Sequence, residues 1–304
     1  MKAKDEKFIR VLSNEISKKI GAPYEASLGN RGIGGGSGAS VGTITDKNGS
    51  DRKFFCKTST SPLKSDMLKA EFLGLKEMHE TNTVKVPEPI CEGSVDGKTF
   101  AVFEYLDMGY RGESNEAAKE MGRNLAKMHL HHSPNNKFGF HIDNTIGATF
   151  QPNTWCDSWA EFWDKHRLGH MLKLCEKNGA KYQYANQIRA KVKGILEGLD
   201  VKPSLVHGDL WSGNAGFTVK GEGVVFDPAT YYGHSEVDIA MTELFGCQSP
   251  GFYTGYHEVI PEAPGYSQRK LIYNTYHILN HYVLFGGGYW SSAVSMMDKI
   301  LKMK

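Results

Sequence analysis

The chain has 304 residues and a formal charge of +2, long enough for two lobes or one large core. That near-neutral balance argues against a nucleic-acid footprint and a polybasic membrane patch. No apolar leader or run of about eighteen apolar residues occurs, and the five cysteines are scattered without a C-x-x-C pair. The expectation is a cytoplasmic protein with reduced thiols and neither a nucleic-acid nor a membrane partner.

Residues 4 to 20 read as an amphipathic helix, with Phe8, Ile9, Leu12, Ile16 and Ile20 near helical spacing. A glycine-rich stretch follows, from Gly29 through Gly34-Gly35-Gly36-Ser37 to Ser40. Walker and dinucleotide loops open a helix. Here the alternating run Val41–Thr45 predicts a strand, Asn48-Gly49 a hairpin turn, and Arg52–Thr58 the returning strand. Glycine loop, strand, turn and strand with a lysine make the roof of a kinase-like nucleotide site, where backbone N–H groups approach phosphates unobstructed by a Cβ. Lys57 is the candidate phosphate ligand and needs a carboxylate to hold it. The next helix, from about Ser65, carries the stripe Leu68, Phe72, Leu75 and Met78 and places Glu71 on its flank as that partner. A second hairpin is expected from Val86–Ile90, a turn at Asp96-Gly97, and Thr99–Leu106. By position, the backbone around Glu104 and Leu106 would meet the adenine edge.

From Asn115 a helix presents Ala118, Met121, Leu125 and Met128 on one face. His129, His131 and His132 at its end are expected in surface or capping roles rather than converging on a metal. Residues 138–153 read as loop. Trp155, Trp159 and Trp163 then recur as a stripe down one helix, read as core packing. Next comes His207-Gly208-Asp209-Leu210-Trp211-Ser212-Gly213-Asn214, followed by the apolar run ending at Asp227. Phosphoryl transfer from Mg-ATP needs such a set: Asp209 to accept the hydroxyl proton, with Asn214 and Asp227 to hold metal. Gly208 stands where protein kinases often carry arginine, and Asp238 follows Asp227 too closely for a long peptide-docking segment. The acceptor is therefore expected to be small. Asp238 either caps the following helix or braces the catalytic loop from behind.

These residues resemble the fructosamine-3-kinase-related (ketosamine kinase) family over nearly the whole chain. The resemblance rests on Gly34-Gly35-Gly36-Ser37, Lys57, Phe138-Gly139-Phe140, the segment 159–167, the 207–214 motif, and Asp227-Pro228-Ala229 with Tyr232-Gly233-His234-Ser235-Glu236. Tyr256-His257 and Asn280-His281 complete it. It implies an α+β, bilobal, protein-kinase-like fold: a small N-terminal lobe (1–106) with an antiparallel sheet and one helix, and a larger, mostly helical C-terminal lobe (107–304). It implies ATP and Mg²⁺, and phosphorylation of the C3 hydroxyl of fructosamine or ribulosamine adducts of lysine, free or on proteins, by a monomer or weak dimer. Trp211 and, secondarily, His281 and Asn280 would face the sugar. Some family members carry cysteine at the Ser37 position, and serine there cannot form a redox disulfide. The competing readings are a kinase of the aminoglycoside or choline type and a catalytically inactive nucleotide-binding scaffold.

Overall fold

The computed structural model describes residues 3–28, 39–109 and 114–303. The glycine loop, including Gly34, Gly35, Gly36 and Ser37, lies outside the described residues. Helix α1 (Ala3–Ile20) lays Phe8, Ile9, Leu12 and Ile16 against one face of an antiparallel sheet. The sheet comprises β1 (Ala26–Leu28), β2 (Ala39–Asp46), β3 (Lys53–Ser59), β4 (Pro89–Val95) and β5 (Lys98–Glu104), in the order β1-β2-β3-β5-β4. Along β3, Phe54 and Cys56 point toward α1 and are buried. Phe55 and Lys57 therefore point the other way, because successive strand side chains alternate.

Helix α2 (Pro62–Glu80) covers that opposite face, yet its buried stripe of Leu68, Phe72, Leu75 and Met78 belongs to the large core formed with the helical remainder. Its Gly74 comes so close to the segment after Asp227 that an added Cβ would lie 2.7 Å from the Thr230 hydroxyl oxygen. Beside it, the Tyr232 hydroxyl donates to Glu77 at 2.6 Å.

The hairpin turns fall where expected, but the second hairpin is shorter at both ends. Its first strand begins at Pro89, not Val86. Pro87 has no N–H to give a ladder, Lys85 bridges to Val224 instead, and Val86 joins the large core. Its second strand ends at Glu104, before Leu106.

The remainder begins with α3 (Asn115–His129), capped by the Ser114 hydroxyl accepting from the Ala117 N–H. Residues 144–151, expected as loop, form the small hairpin β6 (Asn144–Ile146) and β7 (Thr149–Gln151). The tryptophans do not share one helix: Trp155 precedes α4 (Trp159–Phe162), and Trp163 opens a π-helical segment ending at Leu168. Trp159 and Trp163 are buried in the core, as expected. Next come α5 (Gly169–Lys177), α6 (Ala185–Glu197), and the short strands β8 (Ser204–Val206), β9 (Ala215–Phe217), β10 (Gly223–Val225) and β11 (Tyr231–Gly233). Helices α7 (Glu236–Thr242), α8 (Pro250–Val259), α9 (Tyr266–Phe285) and α10 (Tyr289–Leu301) close the chain. No helix among the described residues is long and apolar enough to cross a membrane.

Candidate active site

Two short pairings bring the motif together. Strands β9 and β10 pair with Ala215 opposite Val225, and the Phe226 N–H donates to the Asn214 carbonyl at 3.0 Å. Asn214 and Asp227 therefore stand side by side, one entering the hairpin and the other leaving it. Strands β8 and β11 pair with Val206 opposite Tyr231, and the Ala229 N–H donates to the His207 carbonyl at 2.9 Å. That second pairing folds the chain after Asp227 back under the catalytic loop. Gly208 makes the approach possible: its φ is +82°, and a Cβ there would lie 2.2 Å from the Ala229 carbonyl oxygen.

The loop is braced from beneath. Asp238, 1% exposed, accepts from the His207 N–H at 2.7 Å, the Gly208 N–H at 2.8 Å and His129 Nε2 at 3.0 Å. The Tyr256 hydroxyl meets His129 Nδ1 at 2.7 Å. With Nδ1 as acceptor, the tautomer carries its proton on Nε2, facing the carboxylate. Of the two roles open to Asp238, bracing the loop is the one these bonds describe. His129 departs from expectation. It is fully buried beneath the catalytic loop, while His131 and His132 are exposed. The apolar stripe of α3 faces the core, and His129, last in that helix, falls on the same side.

Burial works against the Asp238 charge, but hydrogen bonding from His129, the nearby His207 and the Gly208 N–H hold its carboxyl below the ordinary carboxylate range. Asp209 responds oppositely. Burial and the charges of Asp238 and Asp227 push its carboxyl up to about 7, with the Asn214 amide opposing. Burial lowers His207, which stays neutral. Its Nδ1 accepts from the Asp209 N–H at 3.2 Å and its Nε2 donates to the Phe226 carbonyl at 2.9 Å. One ring thus ties Asp209 to the start of the turn that carries Asp227.

Lys57 reaches the same point from above. Its Nζ lies 2.7 Å from Glu71 Oε1 and 2.7 Å from Asp227 Oδ1. Burial opposes the Lys57 charge, but Glu71 and Asp227 outweigh it and raise its pKa above the usual range. Asn214 turns its Nδ2 to the Asp209 carbonyl at 2.9 Å, which leaves Oδ1 available to a cation. A carboxylate and an amide oxygen are hard donors of the kind that would hold Mg²⁺.

Lys57, Glu71 and Asp227 form the wall between two cavities. One, of about 570 Å³, is largely apolar, lined by Val41, Leu75 and Phe103 and by the segment 104–108 that includes Glu104 and Leu106. The Glu104 carboxylate is bound to Lys85 at 2.7 and 2.9 Å and its N–H to the Glu88 carbonyl, so its side chain steadies the connecting segment. The other, of about 310 Å³, holds Asp209, Asn214 and Trp211, with Met67 from α2 and Asn144, Thr145 and Gly147 from the β6–β7 hairpin. Trp211 stands at the rim, 40% exposed. His281 does not line this cavity. Its Nδ1 donates to the His277 carbonyl at 2.8 Å and its ring packs on Phe245 at 4.4 Å. Asn280 donates to the Ile146 carbonyl at 3.3 Å, supporting the hairpin from behind. Sequence reasoning missed Met67 and the hairpin. Met67 lies one helical turn before Glu71, hence on the same face. The hairpin's signal was Gly147 between Thr145-Ile146 and Thr149-Phe150, two short pairs of strand-forming residues.

The family model for fructosamine kinase matches residues 9–303. A probable ketoamine kinase of Synechocystis sp. is 44% identical over 97% of each chain. The chloroplastic protein-ribulosamine 3-kinase of Arabidopsis thaliana is 42% identical over 82% of this chain and 76% of its own, and the ketosamine-3-kinase of Mus musculus is 30% identical over 94% and 99%. A solved structure from Haemophilus somnus described as a fructosamine-3-kinase superposes with a TM-score of 0.82 at 28% identity, covering 95% of this chain and 96% of its own. An aminoglycoside phosphotransferase, APH(4)-Ia with ADP and hygromycin B, superposes at 0.62 and 12% identity over 96% and 98%, a likeness of fold alone.

Proposed function

The chain belongs to the fructosamine kinase family, and from that premise we propose that it transfers the γ-phosphoryl group of ATP to the C3 hydroxyl of lysine ketosamines, free or on proteins. The observation that carries this reading is the shared wall. Lys57, Glu71 and Asp227 border both an apolar cavity of nucleotide size and a smaller polar one in which Asp209 waits. Asp209 orients the acceptor hydroxyl and takes its proton. A carboxyl titrating near 7 is well matched to that task at neutral pH. Lys57, held by Glu71, neutralises phosphate charge, with the glycine loop, outside the described residues, as the expected roof. Asn214 Oδ1 and the Asp227 carboxylate are the proposed Mg²⁺ ligands; the ion would neutralise phosphate charge. Trp211 offers its ring to the sugar from the rim.

The product explains the usefulness of the reaction. A phosphate ester at C3 sits on the carbon next to the C2 carbonyl, and enolisation toward C1 makes its C3–O bond allylic to the enaminol. After enolisation it leaves as phosphate far more readily than hydroxide would, and water then frees a dicarbonyl sugar and restores the amine. A division at 106/107 puts the nucleotide-facing sheet in the first part and the acceptor floor in the second. The free thiols of buried Cys56, Cys156 and Cys175 support a cytoplasmic location.

The test is an ADP-release assay over ribulose-lysine, fructose-lysine, an aminoglycoside and choline, with the phosphorylated carbon located by NMR. Ketosamines should dominate and the phosphate should sit on C3. Chelation should abolish turnover, and Mg²⁺ should restore it. Preference for any other alcohol would reject the substrate assignment.

A further inference from the structure

The acceptor cavity is walled mostly by groups whose polar atoms are already committed. Lys57, Glu71 and Asp227 hold one another, and Asp209 and Asn214 belong to the reaction. Asn144 is spent on structure. Its Nδ2 donates to the Thr230 carbonyl at 2.8 Å, while its Oδ1 accepts from Gln151 at 2.7 Å and Asn153 at 2.9 Å. Met67, Pro228 and Ala229 offer apolar side chains. Thr145 differs: it lines the cavity, is half-buried, and its hydroxyl makes no hydrogen bond among the described residues. A hydroxyl in such a wall finds its partner in solvent or in the bound acceptor.

The hairpin that carries Thr145 is held rigidly against the catalytic segment. Gln151 also donates to the Ala229 carbonyl at 3.2 Å and accepts from the Tyr276 hydroxyl at 2.6 Å. Arg167, fully buried, donates to the Pro152 carbonyl at 2.8 Å and to Asn153 Oδ1 at 2.8 Å, with its guanidinium 4.0 Å from the Tyr231 ring centroid. Thr145 is therefore fixed relative to Ala229, and through Ala229 and His207 relative to Asp209. Fixed placement by committed neighbours is what a recognition group requires.

We propose that Thr145 is a specificity-determining residue that hydrogen-bonds a sugar hydroxyl beyond the reacting C3, so that the length and hydroxylation of the sugar tail are read on the β6–β7 hairpin. This rests on the ketosamine reading above. With Asp209 on the C3 hydroxyl, the tail at C4 and beyond fills the rest of the same cavity, where Thr145 presents an uncommitted hydroxyl and Trp211 lines the rim. A site built to bond a substrate hydroxyl discriminates against analogues that lack it, because its own group is then left unpaired.

The experiment compares wild type, Thr145→Val and Thr145→Ser on lysine adducts of fructose, ribulose and erythrulose, which end at C6, C5 and C4. Thr145→Val should lower kcat/KM about tenfold on every adduct long enough to carry the recognised hydroxyl, mainly through acceptor KM, with KM for ATP unchanged. Thr145→Ser should restore it. The adduct at which the loss first appears identifies the hydroxyl. Thr145→Val within twofold of wild type on all three adducts would overturn the assignment. So would a serine variant as impaired as valine, or a parallel rise in KM for ATP. A wild-type enzyme that binds ATP but phosphorylates none of the three would instead remove the ketosamine reading itself.

Discussion

The two helices on opposite faces of the five-stranded sheet are close in sequence yet serve different bodies. Helix α1 closes a small core of its own with Phe54, Cys56, Phe100 and Val102 and lines neither cavity described above. Helix α2 contributes Met67, Glu71 and Leu75 to cavity walls and seals its stripe into the large core. Gly74 against Thr230 and Glu77 against Tyr232 fasten it to the segment that follows Asp227. The Lys57–Glu71 pair is thus set by the same segment that presents Asp227, and α1 only supports the sheet from which Lys57 projects.

The sharpest way to break that contrast is on the floor of the site. Asp209→Asn should lower kcat about 10²–10⁴-fold while leaving ATP affinity near wild type; substantial turnover would reject Asp209 as the base. The same variant carries a stability signature. The folded Asp209 carboxyl titrates near 7 and an unfolded one near ~3.9, so the folded chain keeps a proton that the unfolded chain releases between those values. The stabilising contribution is complete below about pH 4 and falls as pH rises through 7. Asparagine escapes the loss, so Asp209→Asn should melt above wild type at pH 8, by ~1–2 kcal/mol after allowing for partial exposure, with the gap narrowing toward pH 5.

Next in size is Leu12→Ala under α1. Emptying that fully buried site should cost about 2–5 kcal/mol and leave kcat of the folded enzyme near normal. Gly74→Ala should cost about 1–3 kcal/mol by overpacking, yet lower kcat severalfold by pushing Glu71 away from Lys57. Adding Thr230→Ala should recover part of both. Equal kcat losses in the Leu12 and Gly74 variants would erase the distinction between the helices. Smallest is Tyr232→Phe, which removes one hydrogen bond to Glu77 and should cost about 0.5–1.5 kcal/mol, read as a small Tm shift with a slight rise in KM for ATP.

What could be read in the sequence followed local rules. The strand alternation that aims Lys57 away from α1, the i,i+3/i+4 stripe that puts Glu71 on the flank of α2, and the turn residues at Asn48-Gly49 and Asp96-Gly97 are short-range signals. So was the Asp209, Asn214 and Asp227 spacing, because two short hairpin-like pairings close it. What escaped was tertiary. The burial of His129 depends on α3 lying beneath the catalytic loop, which nothing within α3 announces. The β6–β7 hairpin is too short for periodicity to register and is held by Asn144 and Gln151, whose partners Thr230, Ala229 and Tyr276 are distant in the chain, with Arg167 bracing Asn153 beside it. The position of His281 in a motif points it to the sugar, but its ring is turned to Phe245 and its Nδ1 to the helix backbone.

Asp227 sits at φ +55°, a left-handed backbone that most side chains occupy at a cost of order 1 kcal/mol or more. Glycine, asparagine and aspartate tolerate it, and of these aspartate alone carries a charge. The bend and the proposed metal role would thus select the same residue for unrelated reasons. An alanine there would combine a conformational penalty with loss of the ligand, whereas asparagine keeps the bend and removes just the negative charge.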